Sequence, residues 1–276
     1  MRGANFTDRL LLSYFTALTL VVLVRQHRVP VWPSLVLLHA VVIAVIVVLV
    51  RGRARWPHAH AWYPLLLPLL AFHETALLHD VFVSEWQDRH ILAVEAWLFD
   101  VPPTVWLQQF RRQTFSEMVQ FGYLSYFLFL PFLGGVLYLR SNKAPFFGLM
   151  AATMLSYVAC YVIYLVFPTE GPAHTLRHLH TLPIPEGPLA SLVKFTQQAG
   201  THGNAFPSAH VAGAVVPVIF AAKYAIRYAP LLFACLALMC MGAVYDRYHY
   251  ASDIAGGLVI GAAAAVFILR NMERGS

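Results

Sequence analysis

The sequence predicts an all-α, polytopic membrane protein, a bundle of about eight transmembrane helices, and three observations carry that expectation. Hydrophobic residues make up 59% of the 276-residue chain and charged residues only 12%, about half the charged share of a soluble domain. The apolar residues fall into runs of bilayer length, since a hydrocarbon core of ~30 Å needs ~20 helical residues to cross it. The basic residues cluster between those runs, where charges that orient membrane helices belong.

Eight segments qualify, at about residues 9–25, 33–50, 61–79, 119–139, 145–167, 209–226, 229–245 and 250–270. The first follows Arg2 and Arg9 as a secretory signal would. It runs into Val24-Arg25-Gln26-His27 without a small-residue cleavage site, so it reads as a retained helix. The third carries Pro64, Pro68, His73 and Glu74, each costly in a bilayer unless a neighbour satisfies it. With the amino terminus inside and the chain alternating through eight spans, eleven of the 19 Lys and Arg residues face the cytoplasm, Arg51, Arg53, Arg55, Arg140, Lys143 and Lys223 among them. Ten of the 13 carboxylates fall on the opposite side.

This arrangement sends the two long stretches between spans, about 80–118 and 168–206, to the outer side, where function is expected. The first holds Leu92, Val94, Trp97, Leu98, Phe99 and Trp106 around Pro102-Pro103, the pattern of helices lying at the lipid interface, and reads as a surface brace. The second opens with Phe167-Pro168-Thr169-Glu170-Gly171-Pro172 and carries His174, His178, His180 and His202. A net charge of +6 brings no basic stripe interleaved with aromatics, which argues against a nucleic-acid partner. Cys160, Cys235 and Cys240 lie inside apolar runs without metal-ligand spacing.

Three blocks converge on the outer face: the segment after the fifth span, Asn204-Ala205-Phe206-Pro207-Ser208-Ala209-His210, and Tyr245-Asp246-Arg247-Tyr248-His249-Tyr250-Ala251-Ser252-Asp253. Pro207 suits the first turn of a helix and Ser208 its cap, so free N–H groups and the helix dipole are expected to make an anion site there, with His210 one step inside. His249 and Asp253, four apart, share a helical face, which lets the carboxylate hold one imidazole nitrogen while the other attacks. Arg247 is placed to grip phosphate oxygens. Phosphoryl transfer, which needs positioning and positive charge around an anionic transition state, fits this set.

Pro207-Ser208-Ala209-His210 and His249-x-x-x-Asp253 resemble the second and third signatures of the phosphatidic acid phosphatase type 2 (PAP2) superfamily, over roughly the carboxyl-terminal half of the chain. The resemblance implies His249 as nucleophile, Asp253 as its partner and His210 as acid to the leaving group, with no metal and no cofactor. It also implies a six-helix core over residues 56–276, with two added helices in residues 1–55, in a single membrane domain. Two departures stand out. Ala243 occupies the family's arginine position six residues before the nucleophile, leaving Arg247 to substitute. The family's first signature is missing, and Glu170-Gly171-Pro172-Ala173-His174-Thr175-Leu176-Arg177 stands in its place, with His174 or Arg177 as the replacement phosphate ligand. The divergent form looks like the branch that includes inositol phosphorylceramide and sphingomyelin synthases.

The expected function is hydrolysis of a lipid phosphate or pyrophosphate at the extracytoplasmic face of a bacterial inner membrane. Transfer of a phospho-headgroup to a lipid alcohol is the first alternative. A transporter is the second, suggested by the number of spans and by His73 and Glu74, although the halves show no inverted repeat. A zinc site on His249, His210, Asp253 and the loop histidines is the competing chemistry, but no Cys joins them and no His-Glu-x-x-His pair lies near this face. His73 and Glu74 are expected to line the same wet cavity as the site, with Tyr123 and Tyr126 at its wall. Gly257-x-x-x-Gly261 reads as a close helix contact.

Overall fold

A computed structural model describes residues 4–185, 187–198 and 203–274, so His202 lies outside the described residues. Every regular element among them is helical. In chain order these are α1 (Phe6–Val24), α2 (Trp32–Arg51), α3 (Pro57–Trp62), α4 (Leu67–Leu77), α5 (Asp88–Leu98), α6 (Pro103–Trp106), α7 (Gln113–Tyr138), α8 (Ala144–Val166), α9 (Pro172–Thr175), α10 (Pro188–Gln198), α11 (Ala209–Tyr224), α12 (Ala229–Tyr245) and α13 (Ala251–Arg274).

Among the described residues six helices are long and apolar enough to cross a membrane: α1, α2, α7, α8, a segment from Ile226 that includes α12, and α13. Two of the eight expected spans take other forms. The run at 61–79 is broken into α3, a 3-10 turn at Tyr63–Leu65 and α4, because Pro64 and Pro68 each remove an N–H from the helix ladder. The run at 209–226 is a helix of only 16 residues, α11. At 1.5 Å per residue it covers ~24 Å of a ~30 Å core. Its far end is tied down by the Arg140 guanidinium, which donates to the Tyr224 carbonyl, and by Lys223, which pairs with Glu273.

The core packs α7 against α12, and α8 and α13 against α11. Gly257 and Gly261 belong to the last contact. A Cβ on Gly261 would lie 2.3 Å from both the Ala212 carbonyl and the Val215 side chain, and one on Gly257 2.5 Å from the Ser208 carbonyl. The pair thus sets how closely α13 lies along α11 within the chain. Gly261→Leu is expected to cost ~1–3 kcal/mol by overpacking and to lower the melting temperature in detergent, with Gly135→Leu, a site open to a Cβ, leaving it nearly unchanged.

The first two helices are clipped to the core by buried polar groups. Asp8 of α1 accepts from the Tyr63 hydroxyl at 2.7 Å and meets His60 at 3.1 Å, and His39 of α2 pairs with Glu74 of α4. His73 and Glu74 therefore do different things, contrary to the shared cavity expected. Glu74 is buried against His39, whereas His73 is exposed and its Nδ1 turns to the Leu69 carbonyl at 2.7 Å.

The stretch at 80–118 forms α5, α6, a 3-10 turn at Leu107–Phe110 and the start of α7. Trp97 is 83% exposed on α5, while Asp88, Ile91 and Glu95 turn inward, which is the two-faced distribution of an interfacial helix.

Candidate active site

Ser208 caps α11. Its backbone lies outside the helix and its hydroxyl accepts from the Val211 N–H at 3.4 Å, a contact of ~1 kcal/mol. Pro207 is thus one residue before the cap, not inside the first turn. The expected anion site is altered as well, because the Ala209 N–H goes to the Tyr164 hydroxyl at 3.1 Å and the Val211 N–H to Ser208. The same Tyr164 hydroxyl donates to the Pro207 carbonyl at 2.8 Å, so one side chain of α8 fixes both sides of the cap. Further back, Asn204 takes a left-handed backbone at φ 64° and its amide donates to Thr75 of α4 at 2.9 Å.

The second half of the site is the turn from α12 to α13. The Tyr248 and His249 N–H groups both donate to the Ala243 carbonyl, at 2.9 and 3.0 Å, and the Ser208 N–H donates to the Asp253 carbonyl at 3.0 Å. Those bonds bring the two sequence blocks together. His249 Nδ1 lies 3.2 Å from Asp253 Oδ2, which also accepts the Tyr250 N–H at 2.9 Å, and His249 Nε2 lies 3.1 Å from Ser208 Oγ. With Nδ1 protonated toward the carboxylate, Nε2 keeps its lone pair and accepts from the Ser208 hydroxyl. Asp253 and Ser208 are fully buried and His249 is nearly so.

His210 stands across from this pair, its ring 6.4 Å from that of His249. Phe72, Tyr123 and Tyr126 surround it with ring centres at 5.7, 5.8 and 5.2 Å. Tyr126 is in turn hydrogen-bonded to Tyr157 at 2.9 Å. The two tyrosines expected at the wall are therefore beside His210.

The predicted phosphate ligands divide. Ser208 is in contact with His249. Arg247, in a left-handed turn at φ 68°, sends its guanidinium to the Leu182 carbonyl and to Gln108 Oε1 at 3.3 Å. It braces the loop above the site. His174 and Arg177 are exposed on the stretch that flanks Thr175, which bonds the Tyr250 hydroxyl. Of the other loop histidines, His178 is exposed and His180 meets Thr104 at 3.2 Å. Among the described residues no three or more His, Cys, Asp or Glu side chains form a group that could hold a metal ion.

Several supporting residues escaped the sequence reading. Asp88 of α5 accepts from the Glu170 and Gly171 N–H groups at 2.7 and 2.8 Å and from the Tyr250 hydroxyl at 2.9 Å. Glu95, two turns further along the same face of α5, accepts from the Ser252 N–H and hydroxyl, both at 3.0 Å, and so caps the start of α13. Burial holds the Glu95 carboxyl above the usual carboxylate range, against the opposing pull of Ser252. The brace is thus tied directly to the turn that carries His249. The i, i+4, i+7 spacing of Tyr157, Tyr161 and Tyr164 was a visible signal for one polar helix face; the acids of α5 offered none.

Arg111 and Asp246 were also missed. Arg111 lies over the Tyr245 ring at 4.1 Å and donates to the Tyr245 carbonyl at 2.5 Å. Burial pushes the Asp246 carboxyl up to about 7, against the attraction of Arg111 and Arg247. Asp246 thus binds its proton more tightly folded than unfolded, so the stability it contributes is present below the usual carboxylate range and is lost as pH rises through about 7. Asp246→Asn is expected to flatten the fall in melting temperature between about pH 4 and about pH 7.

A profile of the PAP2 superfamily matches residues 89–267, from the start of α5 to the last turns of α13. No curated protein and no solved structure matches the chain significantly. The match spans the serine cap, both histidines and Asp253, on a scaffold of membrane-length helices. The chain belongs to the PAP2 superfamily, and with it to enzymes of the phosphatase and phosphotransferase type.

Proposed function

We propose that this enzyme transfers phosphoryl groups from a lipid phosphate or pyrophosphate through a phosphohistidine, with no metal, at the extracytoplasmic face of a bacterial inner membrane. The observation that carries the reading is the chain Ser208–His249–Asp253 facing His210 across 6.4 Å between ring centres. His249 Nε2 attacks phosphorus; the P–N bond forms as the P–O bond to the lipid breaks. His210 gives its proton to the departing alkoxide. Water or an alcohol then attacks the phosphohistidine, His210 takes the proton from it, and the P–N bond breaks to restore His249. Asp253 keeps Nδ1 protonated throughout and offsets the positive charge of the phosphorylated ring. Ser208 donates its hydroxyl to a phosphoryl oxygen once substrate replaces it at Nε2.

A lipid substrate is supported by the setting of these groups among helices long and apolar enough to cross a membrane, where a headgroup in the leaflet would meet them. The test is mass spectrometry of a lipid extract incubated with purified protein and excess chelator, with and without inositol. Loss of a phosphate monoester or pyrophosphate is expected for hydrolysis, and a new headgroup-bearing lipid for transfer to an alcohol. Activity lost on chelation contradicts the metal-free reading, and solute uptake without phosphate release contradicts the enzyme in favour of a transporter.

A further inference from the structure

Three residues before the nucleophile, Asp246 is 2% exposed and neither of its carboxylate oxygens has a hydrogen-bond partner. Arg111 and Arg247 lie within electrostatic reach of it without bonding to it. Each guanidinium is pinned at one corner. Arg111 uses Nη2 on the Tyr245 carbonyl and stacks on that ring, which leaves its Nε and Nη1 buried and unpaired. Arg247 uses Nη2 on Leu182 and Gln108, which leaves its Nε buried and unpaired. Buried charges left without hydrogen bonds cost several kcal/mol each. Here an acceptor group and two donor groups share that condition at one place, and the left-handed Arg247 adds backbone strain at the same turn.

The chemistry of the set defines its ligand. The free guanidinium N–H groups call for an oxyanion, and their rigid planes suit phosphate. The carboxylate calls for a hydrogen-bond donor, and an ammonium group beside two guanidiniums would be repelled. A neutral hydroxyl is therefore the donor that fits. We infer that Asp246, Arg111 and Arg247 form a seat for a phosphate ester with a free hydroxyl beside its phosphate, the phosphate on the arginines and the hydroxyl on Asp246. This rests on the phosphoryl-transfer reading and deepens it. The seat selects headgroups with a hydroxyl, and the arginines supply the positive charge that the sequence lacks at Ala243. Protonated inorganic phosphate, with its own P–OH, carries the same chemistry, so product phosphate is the other possible source.

The test uses full-length His249→Ala protein in detergent at about pH 8, where Asp246 is ionised and turnover is removed. Binding of glycerol 3-phosphate, propyl phosphate and inorganic phosphate is measured by calorimetry. Glycerol 3-phosphate is expected to bind at least about tenfold more tightly than propyl phosphate, because a site that hydrogen-bonds a hydroxyl rejects the analogue without it. Adding Asp246→Asn is expected to erase that preference, and adding Arg111→Gln to weaken both esters alike. Inorganic phosphate binding as tightly as glycerol 3-phosphate, with the same dependence on Asp246 and Arg111, assigns the seat to product phosphate. Equal binding of the two esters to the His249→Ala protein overturns the seat without any further variant. It would leave the phosphohistidine reading untouched, since His249-dependent turnover of lipids is measured separately.

Discussion

His249→Ala is expected to abolish phosphoryl transfer, a loss on the order of 10⁴-fold or more, as when any nucleophile that acts in a unit with its partners is removed. Of the two facing histidines, His249 is the one whose Nδ1 is held by a carboxylate, that of Asp253. Ser208 Oγ is fully buried and is engaged by the Val211 N–H, and His210 stands on the opposite side of the gap. The substitution leaves the backbone turn in place, because the His249 N–H bond to Ala243 and the Tyr250 N–H bond to Asp253 do not use the imidazole. Release of phosphate from lipid phosphates, normalised to protein that elutes as a single species, checks the prediction. Residual activity within tenfold of the parent would mean that another group forms the bond to phosphorus.

Asp253→Ala is the second large effect, expected on the order of 10⁴-fold in turnover. The carboxylate does two things for His249, accepting from Nδ1 and countering the charge that the ring acquires when phosphorylated. It also holds the Tyr250 N–H, so the alanine variant should lose ~1–3 kcal/mol of stability from the group left unpaired. Asp253→Asn separates the contributions. Its amide oxygen can keep both hydrogen bonds while the charge is gone, so it should regain the stability and only part of the rate. Turnover and melting temperature measured together on the two variants read this out. An Asn variant as inactive as Ala, with parental stability, would assign the whole effect to charge.

The residues that bear the chemistry were legible in the sequence because each lies within one short segment whose local geometry is fixed. Four residues along a helix put His249 and Asp253 on one face, and counting spans put Pro207-Ser208-Ala209-His210 at the same end of the bundle. What holds those segments together was not legible. Tyr164 acts on Pro207 and Ala209 from α8, Asp88 and Glu95 act on the 170–171 turn and on α13 from α5, and Arg111 acts on Tyr245 from before α7. These contacts join residues far apart in sequence, and no periodicity announces them. Hydropathy also concealed the interruptions of the membrane pattern. Pro64 and Pro68 sit in an apolar run that counts as a span by composition, yet the missing N–H groups divide it. For Arg247 the spacing from His249 suggested a phosphate ligand, but it did not show that a left-handed backbone turns one corner of the guanidinium onto Leu182.

In the proposed reaction phosphorus becomes bonded to His249, and trapping that bond tests it without reference to substrate identity. Purified protein is mixed with a lipid phosphate, quenched in alkali within the first turnover, digested and examined by mass spectrometry for peptides that have gained one phosphoryl group. The gain is expected on the peptide that contains His249, stable in alkali, lost in acid and absent from His249→Ala. An acid-stable phosphoserine at Ser208 would contradict it, because the same Ser208–His249–Asp253 connection would then be serving a serine nucleophile.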